Sequence, residues 1–467
     1  MAMRRDRVLL RARAFLIVAA LLALAADGRA EASVPIRPSP QPAPFQVLIR
    51  PDVAIIGTPF TITVTGLAPG GPVTLEACST DKRGKEWRSS AVFSASGTGT
   101  VDVSSQAPVS GSYTGADIFG LLWSMKAPVP PNARPSSYAQ DEVDGWTVDF
   151  TATDAAGRSA SARLRRVYQM PGQALVRVAL EKDGMSGFLY HPAGGGTFPG
   201  VLILGGSNGG LYEWLAQALA SNGFAALTLA YFGYPRLPAE LVEIPIENFH
   251  RAAVWMKEQP AVRPGRLGLA GGSKGGELAL LLASRYDDFR AVVAWTPAAH
   301  VWEGLSQAYF SPDYVPRSSW AAGGKALPFV GFSARSEDKE KEQKGQLDSF
   351  VALHQRALAL TAPEALERAA IPVERIKAPL LLISGTLDQT WPADAFCREI
   401  VARLHKAGFP FELKHVSHAD AGHGSFLPYL VTARTAPING GSDRANAAAG
   451  FDSWKETVEF LRKHLGR

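Results

Sequence analysis

Cysteine is nearly missing from this chain, with only Cys78 and Cys397 among 467 residues. Two thiols cannot build a metal cluster, and they fall short of a disulfide framework that staples a small fold. They also lie in what the pattern below reads as different domains, so no bridge between them is expected. An excess of one charge is likewise absent. The chain holds 48 Lys and Arg against 43 Asp and Glu, and residues 1–32 alone carry six arginines and three acids. The remainder, 42 basic to 40 acidic, shows no footprint for a nucleic-acid partner. Beyond residue 32 no run is long and apolar enough to cross a bilayer. A charged fraction of 19% beside 46% apolar residues excludes a disordered chain, and the length allows two or three full cores.

The first 32 residues read as an export signal. Arg4, Arg5, Arg7, Arg11 and Arg13 precede the apolar core "AFLIVAALLALAA" (14–26), and Ala30-Glu31-Ala32 supplies a small-residue cleavage site. An uncleaved anchor would use the same basic flank. The 13-residue core is short of the ~20 needed to span a bilayer, which favours cleavage. The expected destination is the periplasm or the exterior. Residues 33–44, "SVPIRPSPQPAP", form a proline-rich linker.

Two grammars follow. Across 45–170, short alternating runs such as "FQVLIR", "FTITVTGL", "VTLEACS" and "WTVDFTATD" are separated by turn clusters, which predicts an all-β, immunoglobulin-like sandwich. Across 171–467, continuous apolar strands ("VLILGG", "AALTLAYF", "RLGLAGG", "AVVAWTP", "PLLLISG", "FELKHVS") alternate with helical stretches. That predicts an α/β-hydrolase fold, a mostly parallel sheet with helices on both faces. The alternation lapses over about 301–371, which reads as an insertion above the C-terminal edge of the sheet. Trp123 in "GLLWSM" is read as a core residue, with a place at the contact between the domains as the alternative, and the sandwich is expected to pack on the second domain and to border its pocket.

The stretch "LGLAGGSKGGELALLLAS" (267–284) sets Ser273 among glycines where a strand meets a helix. A glycine-rich turn with a capping serine, or a weak phosphate loop, uses the same letters. The strand before and the helix after select a nucleophile elbow, G-x-S-x-G, whose hydroxyl stands above the sheet edge at a helix N-terminus. A serine hydroxyl needs a base, and the base a carboxylate to orient it. Asp388 in "TLDQTWP" follows a strand end and is preferred to Asp394, which falls in the first turn of the next helix. "FELKHVSHADAGHGSF" offers His415 within the strand and His418 and His423 in the loop after it, and His423, flanked by Gly422 and Gly424, is preferred as base. Three clustered histidines also raise a metal site, but supporting ligands at zinc-like spacing are not evident, so neither metal nor cofactor is expected. "LILGGSNGG" supplies a glycine-rich loop for an oxyanion hole, with donors around Ser207 or Asn208 joined by the amide of Lys274.

These residues, in this order, resemble the acyl-CoA thioesterase and bile acid-CoA:amino acid N-acyltransferase family. The likeness spans about Phe45 to the C-terminus, through "TVTGLAPGGPVTLEACSTDKRGKEW", "SGSYTGADIFGLLWSM", "GGLYEWLAQALASNGFAALTLAYFGYPRLP", "GGSKGGELALLLAS" and "IPVERIKAPLLLISGTLDQTWPA". It implies a Ser–Asp–His triad for thioesterases and a cysteine nucleophile for the acyltransferases. Ser273 therefore implies hydrolysis, with Asp388 orienting and His423 as acid and base. The expected activity is cleavage of an acyl thioester through an acyl-serine. An exported carboxylesterase or amidase that does not use CoA is the alternative, with an N-acyltransferase or a non-catalytic binding protein behind it. The expected partner is a small acyl thioester or ester.

Overall fold

The computed structural model describes residues 43–129, 137–139, 144–424 and 437–466. The expected export signal, and all of the linker but Ala43 and Pro44, lie outside the described residues.

Alternation drives the N-terminal part into two sheets. Gln46–Arg50, Thr61–Thr65 and Val101–Asp102 form the smaller. The larger runs in the order Val53–Ile55, Ser159–Val167, Trp146–Asp154, Pro72–Thr80, Glu86–Ser94, Ser110–Gly111. Every second residue of Pro72–Thr80 faces inward, and Val73, Leu75 and Ala77 join Ile62, Val64 and Phe93 in one buried cluster between the sheets. Pairing is antiparallel except at Val53–Ile55, which runs parallel to Ser159–Val167.

The second part carries an eight-stranded sheet, labelled here in chain order: β1 (Leu175–Lys182), β2 (Met185–Pro192), β3 (Phe198–Leu204), β4 (Ala225–Ala230), β5 (Val262–Gly272), β6 (Ala291–Trp295), β7 (Leu380–Gly385) and β8 (Leu413–His418). Their order in space is β1-β2-β4-β3-β5-β6-β7-β8. The β1–β2 hairpin turns through Asp183 and Gly184, both at positive φ, the conformation an Asp-Gly two-residue turn supplies. β2 is antiparallel to β4, and every pairing from β4 through β8 is parallel. All residues of β4, β6 and β7 are buried, which explains their unbroken apolar runs. The main helices are α1 (Glu213–Ser221), α2 (Glu247–Glu258), α3 (Lys274–Ala283), α4 (Ser336–Gln343), α5 (Val351–Leu360), α6 (Pro363–Ala369), α7 (Ala393–Lys406) and α8 (Asp443–Leu465).

Helices α4 to α6 belong to the stretch where the alternation lapses. It also contains a short strand, Trp320–Ala322, that pairs with Ile244–Pro245 apart from the main sheet.

Pro44–Arg467 forms one compact unit, so the sandwich is packed firmly onto the hydrolase part. The seam is aromatic. The Phe119 and Phe451 rings lie 5.5 Å apart, and Asp117 faces Arg444 of α8 at 3.7 Å. A Cβ at Gly57 would fall 2.1 Å from the indole of Trp454, so only glycine lets α8 approach there. Trp123 is partly buried against the core, its indole N–H donates to Asp117 at 2.9 Å, and the ring contact with Phe451 is made by Phe119.

Candidate active site

The elbow is a direct consequence of β5 running into α3 without a spacer. Ser273, between Gly272 and Lys274, has φ +56° and ψ −123°, a strained conformation for a residue with a side chain. Its N–H donates to Trp295 O at 2.9 Å, and its carbonyl accepts from Gly276 and Glu277 N–H at 2.8 and 3.0 Å. The flanking glycines answer to crowding. A Cβ on Gly271 would lie 2.1 Å from Gly275 O, and one on Gly275 would lie 2.4 Å from the carbonyls of both Leu204 and Gly205.

His423 reaches this hydroxyl from the loop after β8. Its Nε2 is 2.9 Å from Ser273 Oγ, and its Nδ1 is 2.7 Å from Asp388 Oδ2. A carboxylate only accepts, so Nδ1 carries the proton and Nε2 is left to accept from the serine. Asp388 is 5% exposed, and its Oδ1 accepts from the N–H groups of Thr390 and Trp391 at 2.8 and 3.2 Å. The Trp391 ring stands edge-on to His423, anchored by its own N–H on Thr296 O at 3.0 Å.

The competing residues form two other Ser–His–Asp groupings. His415 Nε2 lies 2.8 Å from Ser384 Oγ, and Asp394 accepts from Ser384 and Ser417. His418 is the last residue of β8 and not part of the loop, because its backbone completes the pairing with Gly385. Its Nε2 bonds Ser453 Oγ at 2.9 Å, and its Nδ1 is 4.0 Å from Asp452. Ser384 and Ser453 are fully buried. Among the described residues Ser273 lines both of the cavities at this site, and neither Ser384 nor Ser453 lines either of them.

Two cavities meet at Ser273. The larger, about 520 Å³, is walled mainly by aromatic and aliphatic side chains, among them Trp302, Phe310, Phe332, Leu353 and Trp391. The smaller, about 260 Å³, lies between Tyr212, Trp214 and His423. Among the described residues those lining both begin at Leu204, so the sandwich does not border them as expected; it meets α8 through Phe119 and α1 through Tyr168, whose ring lies 5.8 Å from that of Trp214. Most of the larger wall comes from the stretch 301–371.

The loop after β3 runs beside the hydroxyl. A Cβ on Gly206 would be 3.4 Å from that of Ser273, Ser207 lines both cavities and Asn208 the smaller one. Gly206 N–H is already given to Tyr212 Oη at 3.2 Å. Lys274 opens α3, where backbone N–H groups have no partner within the helix. Its side chain turns away into a buried pair with Glu277 at 2.7 Å. Burial pushes the Lys274 ammonium down and the Glu277 carboxyl up. Glu277 also accepts from Trp302 N–H at 3.2 Å and Trp320 Nε1–H at 2.7 Å, which fastens the cavity wall to the elbow helix.

Gly422 is needed for contact more than for freedom, since a Cβ there would lie 2.1 Å from Asn439 O. Among the described residues no cluster of His, Cys, Asp and Glu is placed to hold a metal ion.

A family model described as "Acyl-CoA thioester hydrolase/BAAT N-terminal region" matches residues 57–179, and one described as "BAAT / Acyl-CoA thioester hydrolase C terminal" matches 244–467. Mouse acyl-coenzyme A thioesterase 5 is 30% identical over 420 residues, covering 87% of this chain and 93% of its own. Human acyl-coenzyme A thioesterase 1 is 30% identical over 426 residues, covering 87% and 94%. Among solved structures, an esterase of Pyrococcus furiosus is similar over 64% of this chain and 97% of its own, with 14% identity and a TM-score of 0.38. With relatives aligned along nearly their whole length and both parts of the chain matched, this protein belongs to the BAAT/acyl-CoA thioester hydrolase family.

Proposed function

We propose that the protein hydrolyses acyl thioesters through an acyl-serine, with Ser273 as nucleophile, His423 as general base and acid, and Asp388 as the group that orients it. The observation that carries this reading is the imidazole of His423, bonded to Asp388 on one side and Ser273 on the other where two cavities meet. Ser273 Oγ attacks the acyl carbonyl carbon as His423 Nε2 takes its proton. The carbonyl oxygen becomes an oxyanion held by the amide of Lys274 and a second N–H from the loop at Ser207 or Asn208. The C–S bond then breaks, and the departing thiolate takes the proton from His423. Water enters, gives a proton to His423, attacks the ester carbon and releases the acid, and the proton returns to Ser273.

The larger, apolar cavity suits the acyl group, and the smaller suits the arm of the leaving thiol. Export by residues 1–32 is part of the proposal, and N-terminal sequencing of the mature protein checks it. That destination favours a second reading, an ester that carries no CoA, because CoA esters are not expected in quantity outside the cytoplasm. Assay of palmitoyl-CoA against p-nitrophenyl esters of matched chain length separates the two. Brisk ester cleavage with no thioester cleavage removes the thioester reading.

A further inference from the structure

His354, on α5, is 7% exposed and lines the larger cavity. Its Nδ1 lies 2.8 Å from the carbonyl oxygen of Phe350, one helical turn back. A carbonyl oxygen only accepts, so Nδ1 holds the ring proton and Nε2 is an acceptor. The ring is fixed by aromatic neighbours, with Trp302 edge-on at 4.6 Å and Phe332 at 5.7 Å. Among the described residues none bonds Nε2, and the His354 side chain forms part of the cavity wall. Burial pushes the imidazole pKa down to about 4, so the ring stays neutral and keeps that lone pair near neutral pH. His354 and Ser273 line the same cavity, and the Trp391 ring stands edge-on to both His354 and His423 at 6.0 Å, which puts the acceptor in the neighbourhood of the reacting centre.

A purely hydrocarbon chain has no use for such a group. On entering the cavity it would strip solvent from Nε2 and leave the lone pair unpaired, costing roughly tenfold or more in affinity. A site built around a hydrogen bond discriminates strongly against the analogue that lacks it.

We propose that the acyl group this enzyme takes carries a hydroxyl, and that His354 Nε2 accepts the hydrogen bond from it inside the aromatic cavity. The inference rests on the thioesterase reading for the identity of the reaction, but the acceptor selects its ligand whatever the leaving group. The partner must donate, so a keto or ether oxygen at the same place would not serve. His354 thereby sets specificity and takes no part in proton transfer to the reacting atoms.

Calorimetry with free carboxylic acids tests this on the wild-type protein without turnover. Straight-chain acids are compared with hydroxy acids of the same length, the hydroxyl being walked along the chain. At least one position binds ten times or more tighter than the parent acid. His354→Phe brings that pair within about threefold of each other, and His354→Gln, whose amide oxygen still accepts, keeps part of the preference. The ¹⁵N resonance of His354 Nε2 in the wild type shifts with the hydroxy acid and not with the parent, which needs no variant to fold. No preference at any position, or a preference that survives His354→Phe, overturns the proposal. Thioester turnover on the same preparation is scored separately: its absence counts against the proposed reaction, whereas the hydroxyl preference stands or falls alone.

Discussion

The side-chain oxygen of Asn446 accepts a hydrogen bond from the backbone N–H of Gly422 at 2.6 Å, and its amide N–H donates to Gly440 O at 3.1 Å. Asn446 is 1% exposed in the second turn of α8, so this one amide ties the loop bearing His423 to the C-terminal helix. The loop's position depends on it, because His423 N–H in turn donates to Asn439 O at 2.6 Å.

Asn446→Leu keeps the volume and loses both bonds. Leaving buried backbone groups unpaired costs about 1–3 kcal/mol of stability. With the imidazole off its line, kcat falls roughly a hundredfold while KM moves little. Steady-state kinetics beside urea denaturation separates the two effects. A variant with reduced stability but unchanged kcat argues against the positioning role.

Glu277 joins the elbow helix to the cavity wall through Lys274, Trp302 and Trp320. Glu277→Gln leaves Lys274 buried beside a neutral group, which destabilises the protein by roughly 3 kcal/mol. Lys274→Met with Glu277→Gln restores much of that loss, because the uncompensated charge is gone. Chemical denaturation of the two variants checks the order.

Leu353 lines the larger cavity beside Phe350 and His354. Leu353→Trp fills part of it. The expected result is a fall of about tenfold in kcat/KM for long acyl chains with short chains little affected, the order of a few methylenes excluded from an apolar pocket. A chain-length series from acetyl to palmitoyl shows it.

His300 and His354 are buried, and burial pushes each imidazole down to about 4, with Arg403 adding to the effect at His300. The unfolded rings have the ordinary value near 6.5, so the unfolded chain takes up protons that the folded one does not. Stability is therefore intact above about pH 6.5 and is lost as pH falls toward 4. His300→Gln makes that decline shallower by about one proton in the slope of log K against pH. Urea midpoints measured from pH 7 to 4.5 test it, and parallel curves for wild type and variant contradict it.

Much of this was legible in the sequence because the fold announces itself through burial. β4, β6 and β7 are covered on both faces, and nothing but continuous apolar runs suits them. Ser273, Asp388 and His423 stood out because each follows a strand end in a glycine- or turn-rich stretch. The parts that escaped reading are held by contacts distant in sequence. Glu277 looks like an acid in the first turn of a helix, and only the packing of Trp302 and Trp320 reveals its use. His354 falls in the stretch where the alternation lapses, and its acceptor follows from a bond to Phe350 that no motif marks. Glu86–Ser94, with its serines and arginine, and Ser159–Val167, rich in arginine, blur the apolar alternation, because Ser89 is buried on Leu121 O and Arg166 on Thr58 O. The sequence pattern puts His418 in the loop, whereas strand pairing continues through it.

The central claim is that Ser273 carries the acyl group during turnover. Mixing the protein with an acyl-CoA, quenching within the first turnovers and mapping the adduct by peptide mass spectrometry measures this directly. The account predicts one added acyl mass on the peptide containing Ser273 and none in Ser273→Ala, whose hydrolysis falls by roughly a millionfold. Full hydrolysis by Ser273→Ala, or an acyl adduct on a different side chain, contradicts it.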